Sequence, residues 1–471
     1  MLHQEPPGPP GGFLGLSNSL RYKIDPLGFV SEMAKTYGDI VSLQLVGDYI
    51  YSKHIKKTTG LRDDYIVLLN HPGFVQQVFV DEWQKFKKPD FLKASLRGIW
   101  GDALASLEGD AWKCRRRLVQ PAFHPHLMAP YATTIVACTQ DMIAGWRPGA
   151  LVNIDEEFLT LTARIAARTI LDAELEGFGT PIENAKRSGI INFAEAMGED
   201  FTATQNNADA APVSLRRRRA GPTMDTLLAI MKARFMSQEE RGDMLSFLLQ
   251  ATDEAGQRLT HEEVVNEVLQ LFFAGHHTIP TTLIWLFYAL TQNPEVETRV
   301  YEELDSSLKG RTPGADDLSG LPYAEMVIKE SMRFYASSLM IVREVAEDTQ
   351  VGDYILKKGT LIYVSPYLLQ RDPRNFEQPE RFWPERFSKE NTKPVYKYAF
   401  LPFGAGPRYC IGAGLALLEV RLILATIAQA YRLTLAPNQV IVPTVSLTIR
   451  PAQETYMQVS ARQHLNEMGR G

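Results

Sequence analysis

Residues Phe400 to Leu422 read FLPFGAGPRYCIGAGLALLEVRL, a glycine-rich loop that closes on one cysteine and runs into a long, apolar-periodic helix. Gly404, Gly406 and Gly412 permit tight turns and close backbone approach, so amide N–H groups can converge on whatever Cys410 holds. Cys410 stands just before the helix, where the positive end of the macrodipole favours thiolate over thiol. One thiolate with no other Cys or His nearby points away from zinc and towards haem iron. A cysteine in such a loop is more often an inert buried residue, and the choice rests on the rest of the chain.

Outward from that loop, the 471 residues are 45% apolar and 22% charged, the composition of a globular protein rather than a disordered or collagen-like one. At about 150 residues per domain the length suggests about three domains, yet no Gly/Ser linker or charge block divides the chain. Fifty basic against 55 acidic side chains give a net charge of -5, which argues against a general nucleic-acid or anionic-membrane binder. Three scattered cysteines, Cys114, Cys138 and Cys410, make neither a disulfide framework nor a four-ligand zinc site and suit a reducing compartment. The opening MLHQEPPGPPGGFLG has neither the basic-then-apolar pattern of a signal peptide nor the length of an anchor. Val264 to Leu290 is apolar but interrupted by Asn266, Glu267, Gln270, His276, His277 and Pro280, which predicts a helix buried in protein and no membrane span.

Short strands are expected in IVSLQLV and DYIVLLN between Asp39 and Val80, with a break at His71-Pro72-Gly73. Helical periodicity dominates from Glu108 to about Met332, and strands return at Thr349 to Val364 and Val440 to Val459. The sum is mainly α with a small antiparallel β region and no βαβ alternation. The run Arg216-Arg217-Arg218-Arg219 reads as a solvated loop.

Phe403-Gly404-Ala405-Gly406-Pro407-Arg408-Tyr409-Cys410-Ile411-Gly412 closely resembles the haem-binding signature of the cytochrome P-450 monooxygenases, with Phe403, Gly406, Arg408, Cys410 and Gly412 at the family spacing. The resemblance implies that Cys410 is the proximal ligand of haem b, that Phe403 packs near it and that Arg408 meets a haem propionate. Glu330 and Arg333, three apart and hence on one helix face, together with Phe382-Trp383-Pro384-Glu385-Arg386-Phe387, resemble the family's E-x-x-R and P-E-R-F elements. They imply a buried structural triad of Glu330, Arg333 and Arg386. Trp112 and Arg116, one turn apart, resemble the W-x-x-x-R that meets a propionate, and Arg343 resembles another propionate-binding arginine. The family's prolines before that arginine are replaced by Ala336-Ser337-Ser338. Lys113, Arg115 and Arg117 could form a basic docking patch for an acidic redox partner, or could simply be solvated charge.

Thr260 to Asn293 spans 34 residues, about 50 Å if helical throughout, and opens with the capping-box pattern Thr260-His261-Glu262-Glu263. Within it Ala274-Gly275-His276-His277-Thr278 resembles the A-G-x-x-T of the family's oxygen-binding helix. Ala274 and Thr278 share a face, so that a small residue leaves room for a diatomic ligand and a hydroxyl can hand on protons. Two departures stand out. His277 takes the place of the usual acid; an imidazole can relay protons near neutral pH, and it can equally be a histidine satisfied by a neighbouring carbonyl. Pro280 has no N–H for the His276 carbonyl and should kink the helix. His276 and His277 project about 100° apart, which argues against a shared metal site.

These resemblances imply one cytochrome P-450 domain over residues 1–471, residues 1–20 being a Pro/Gly-rich segment, with haem b between the distal helix and the Cys410 loop. The implied reaction inserts one atom of dioxygen into a lipophilic substrate of terpenoid, fatty acyl or polyketide class. Electrons are expected from a ferredoxin or flavodoxin with its reductase, and the protein is expected to be a cytoplasmic monomer. The pocket is expected from Phe91 to Trp100, Phe272, Phe273, Ala274, Ser338 to Ile341 (with Leu339) and Leu447. The alternatives are a peroxide-driven haem-thiolate peroxygenase, motivated by His277; a non-catalytic haem-based sensor; and a helical lipophile-binding protein without haem.

Overall fold

The capping box at Thr260 forms as expected: Glu263 N–H donates to Thr260 Oγ1 at 3.2 Å and Thr260 N–H to Glu263 Oε2 at 2.9 Å. Two free amides are thereby satisfied at the head of a 32-residue helix, His261–Gln292. That helix is buried over most of its length, so other elements have to enclose it. The computed structural model describes residues 5–10, 15–45, 66–124, 127–174, 222–237, 239–391, 396–446 and 448–462. The Gly47–Asp63 stretch, the Arg216–Arg219 run and Leu447 lie outside these residues.

The described helices are α1 (Leu16–Ile24), α2 (Pro26–Tyr37), α3 (Pro72–Gln76), α4 (Asp90–Trp100), α5 (Gly109–Val119), α6 (Met128–Ala144) and α7 (Ile154–Leu171). They continue with α8 (Pro222–Ser237), α9 (Met244–Gln250), α10 (His261–Gln292), α11 (Pro294–Leu308), α12 (Pro322–Phe334), α13 (Pro366–Leu369) and α14 (Ala413–Ala430). The strands are β1 (Ile40–Leu43), β2 (Ile66–Leu69), β3 (Phe86–Lys87), β4 (Leu151–Asn153), β5 (Ile341–Val345) and β6 (Thr349–Val351). They end with β7 (Tyr354–Leu356), β8 (Leu361–Val364), β9 (Tyr431–Leu435), β10 (Pro443–Val445), β11 (Ile449–Pro451) and β12 (Tyr456–Ala461).

The largest sheet has the order β1-β2-β8-β5-β3. It departs from the antiparallel expectation at one pair: β2 and β8 run parallel, Ile66 opposite Leu361 through Leu69 opposite Val364. Almost the whole helical region separates those two strands, so no hairpin fixes their relative direction. All four residues of β2 are buried, as a continuous Ile-Val-Leu-Leu run requires. Ile66 and Leu68 face Phe29, Val30 and Met33 of α2, whereas Val67 and Leu69 face Val75, Val78 and Phe79. β4, β12 and β9 form an antiparallel sheet, and β6-β7 and β10-β11 are two-stranded.

Helix α10 packs most extensively on α7, where Phe158 stacks on Phe287 at 5.5 Å between ring centres. Trp285 stacks on Tyr335 at 4.4 Å and donates from Nε1 to Ile449 O at 2.9 Å, which ties the far end of α10 to β11. Helix α14 is long and apolar enough to cross a membrane, but 61% of it is buried inside the fold, where α6, α10, α11 and α12 surround it.

Candidate active site

The cysteine loop is closed by its own backbone: Cys410 N–H donates to Phe403 O and Tyr409 N–H to Gly406 O, each at 3.0 Å. Gly406 has φ +68°, and a Cβ there would lie 1.7 Å from Phe79 O, so only glycine fits. Burial pushes the Cys410 thiol above its ordinary range, against the Gly412 N–H and the Arg116 guanidinium that pull it down.

Cys410 opens on a cavity of about 560 Å³ between its loop and α10. Ala274, Gly275, His277 and Thr278 line it from α10, and Phe403, Arg408 and Gly412 from the loop. Phe273, Ser338 and Ile341 line it as expected, joined by Ser337 and by Arg343. Leu339 does not: it is buried with Ala336, Leu361 and Leu368 beside the sheet. Phe272 is wholly buried away from the cavity, and of Phe91 to Trp100 only Trp100 reaches it. Ala166, Thr169 and Ile170 of α7 also line the wall. Their i, i+3, i+4 spacing is that of an ordinary core stripe, so no signal in the sequence set them apart.

On α10, Thr278 Oγ1 donates to Ala274 O and Thr282 Oγ1 to Thr278 O, each at 3.2 Å. The helix continues through Pro280. The carbonyl that Pro280 cannot serve, His276 O, receives the Thr162 hydroxyl of α7 at 3.2 Å. His276 is wholly buried, and its Nδ1 lies 2.8 Å from Phe272 O, which makes that nitrogen the donor. Burial and the neighbouring His277 push its pKa down to about 3, so it is neutral. His277, by contrast, faces the cavity, as their angular separation on a helix dictates.

Cations gather at one edge. Arg408 lies over the Trp112 ring at 3.9 Å, donates from Nη1 to Leu107 O at 3.0 Å and pairs with Glu108 at 2.5 Å. Arg343 lies over the Phe79 ring at 4.7 Å, and burial pushes its pKa down to about 10. Trp112 backs Arg408 rather than lining the cavity, and Arg116 donates from Nη1 to Tyr409 O at 2.9 Å, next to Cys410 rather than within the Trp112–Arg408 pair. Lys88, which sequence reasoning missed inside a charged run, donates from Nζ to Ala105 O at 2.5 Å. Burial and Arg408 push its pKa down to about 7. A thiol on one side, small residues and a hydroxyl on the other, and cations along one edge fit a planar macrocycle bearing two carboxylates.

The expected triad is present and buried. Arg333 makes two hydrogen bonds to Glu330, each at 2.8 Å, and Arg386 Nε lies 3.0 Å from Glu330 Oε2. Gln370, which no sequence signal marked, donates to Met332 O and Arg333 O at 3.0 and 3.1 Å and accepts from Leu401 N–H at 2.9 Å. It thus carries the triad to the start of the cysteine loop. The basic patch needs correction: Arg115 is buried, pairing with Glu267 at 2.8 Å and with Glu263, because it bridges α5 to α10. Lys113 and Arg117 remain exposed, paired with Asp110 and Glu254.

The sequence profile of the family "Cytochrome P450" matches residues 6–459. The chain belongs to the cytochrome P450 family. This P450 is 33% identical to cyclooctat-9-en-7-ol 5-monooxygenase of Streptomyces melanosporofaciens, over 91% of this chain and 90% of the relative. It is 29% identical to pentalenene oxygenase of Streptomyces avermitilis, over 93% of each. The crystal structure of the cytochrome P450DA heme domain shares its fold, with a TM-score of 0.82 over 98% of both chains at 23% identity. The P450 is accordingly a haem b monooxygenase that uses dioxygen, a redox partner and a lipophilic substrate.

Proposed function

We propose that this P450 oxygenates a terpenoid-sized cyclic lipophile, with electrons delivered by a ferredoxin or flavodoxin and its reductase, as a cytoplasmic monomer of one haem domain. The carrying observation is that Cys410 opens on the same apolar cavity as Ala274 and Thr278, with Arg343 and Arg408 at its edge. Terpenoid size is favoured over fatty acyl or polyketide substrates because relatives at about 30% identity are named for cyclooctat-9-en-7-ol and pentalenene.

In this reading Cys410 Sγ would hold the haem iron, Phe403 and Gly412 would flank it, Arg408 and Arg343 would hold the propionates, and Trp112 would support Arg408 from behind. The bound group supplies reductive activation of dioxygen, placing one oxygen atom in a C–H or C=C bond of the substrate and releasing the other as water. Ala274 and Gly275 leave room opposite Cys410, since a Cβ at Gly275 would meet nothing within 4 Å. The Thr278 hydroxyl is oriented by Ala274 O on the cavity face and can present and accept a proton there. His277 stands beside it on the cavity wall, where an imidazole can hold a proton near neutral pH in place of the absent acid. The apolar wall excludes water from the reacting carbon.

Replacing Cys410 by Ala is expected to abolish the thiolate-type carbon monoxide band, and an unchanged band would refute the ligand assignment. Thr278→Ala is expected to raise peroxide release per reductant consumed. Unaltered coupling in that variant, with His277→Ala equally inert, would remove both residues from the proton path. The His277 substitution also favours a second reading, a peroxide-driven peroxygenase, against which Thr278 speaks; peroxide-driven turnover exceeding reductase-driven turnover would establish it.

A further inference from the structure

Behind the cavity edge formed by Arg343 and Arg408 stands a further cation, Lys88, which does not itself line the cavity. Lys88 and Arg408 keep only 14% and 11% of their side chains exposed, and Arg343 lies against the Phe79 ring. Arg116, also nearby, sits at Tyr409 O beside Cys410, away from Lys88 and Glu108, and Lys93 is paired with Asp90. With the two propionates on Arg343 and Arg408, a charged Lys88 would be left without a counter-charge in a poorly solvated place, which is costly. Glu108 supplies the missing anion. Its Oε2 lies 2.5 Å from Arg408 Nη2 and its Oε1 3.9 Å from Lys88 Nζ, and Lys88 N–H donates to Oε1 at 3.4 Å. Even with Glu108 present, burial and, after it, Arg408 hold Lys88 well below an ordinary ammonium.

We propose that Glu108 is a third carboxylate of the propionate site, a positioning residue that holds Arg408 on Trp112 and Lys88 beside it, and that its charge holds the haem reduction potential down. The inference rests on the reading of Arg343 and Arg408 as propionate ligands. A fixed negative charge favours the more positive, ferric state of the iron over the ferrous one, and it acts strongly where water is scarce. Lys88 opposes it with the opposite sign.

The test is an optical redox titration of the substrate-free, haem-loaded P450. Glu108→Gln is expected to move the midpoint potential to more positive values, Lys88→Met to more negative ones, and Glu108→Asp to leave it near the wild-type value. A Glu108→Gln midpoint that is unchanged or more negative overturns the inference. Should Glu108→Gln purify without haem, the comparison becomes the double variant against Lys88→Met alone. The same positive displacement is expected between those two, and its absence is equally decisive. A wild-type protein without the thiolate–carbon monoxide band would instead defeat the assignment of the site itself, so the two failures are distinguishable.

Discussion

A histidine enclosed on every side resists protonation, and His276 gives the protein a measurable acid sensitivity. In the unfolded chain it takes a proton near its ordinary value of 6.5, whereas in the fold it does so only near 3. A depressed native pKa of this kind costs nothing above pH 6.5, where both states are neutral. Below that, the unfolded state binds the proton first, so stability falls steadily until about pH 3. At pH 5 the loss is about 2 kcal/mol. His276→Gln, whose amide can still donate to Phe272 O, is expected to lose about 2 kcal/mol less than the wild type between pH 7.5 and pH 5 in urea unfolding. An equal loss in both proteins would show that His276 is not the acid-sensitive group. The sequence separates His276 from His277 by angle alone; that one is sealed in and the other faces the cavity depends on α7 packing against α10.

At the scale of the element, Pro280 and Thr162 form one device. The Thr162 hydroxyl lies within hydrogen-bond distance of Phe158 O at 2.9 Å and Leu159 O at 3.2 Å on its own helix and of His276 O at 3.2 Å. Phe158 O and Leu159 O both lie inside the helix Ile154–Leu171, where backbone N–H groups serve them, so the bond that matters is the one to His276 O, which Pro280 leaves without a helical donor. Thr162→Val is therefore expected to destabilise the protein by about 1 kcal/mol or somewhat more. Pro280→Ala restores an N–H to that carbonyl, and in its background the Thr162→Val penalty is expected to shrink. Denaturant unfolding of the four proteins of this cycle checks it, and additive effects would sink the coupling. The missing N–H is legible at Pro280 in the sequence. Its replacement is not, because the donor stands 114 residues away from the acceptor on another helix.

Across the whole molecule, Glu330 joins parts of the chain that are far apart in sequence. It holds Arg333 on α12 and Arg386 beyond the strands, and it accepts the Trp383 N–H at 2.8 Å. Arg333 in turn donates to Gln370 O at 2.7 Å, and Gln370 accepts from Leu401 at the head of the cysteine loop. Glu330→Gln would leave two buried guanidinium groups without an anion, at an expected cost of about 3–5 kcal/mol. Loss of haem retention is expected with it, because the loop loses its support. Denaturant unfolding and haem content per chain are the measurements; a variant of wild-type stability and full haem content would show that the triad carries no such load.

What the sequence determined by itself was chemistry held within short spans of chain. The cysteine loop, the capping box at Thr260, the Glu330–Arg333 pair and the small residues and hydroxyl of Ala274 to Thr278 all act over a few residues, where backbone geometry relates spacing to position directly. The helix-rich class and most strand positions were legible for the same reason. Only the tertiary structure decided the parallel pairing of β2 with β8, the burial of Arg115 against α10, the turn of Leu339 away from the cavity, and the places of Gln370, Lys88 and Glu108. Each of these depends on which distant segment packs against the residue. A charged side chain in a polar run looks the same whether it ends in water or against another element, so burial and pairing emerge only when the chain closes on itself.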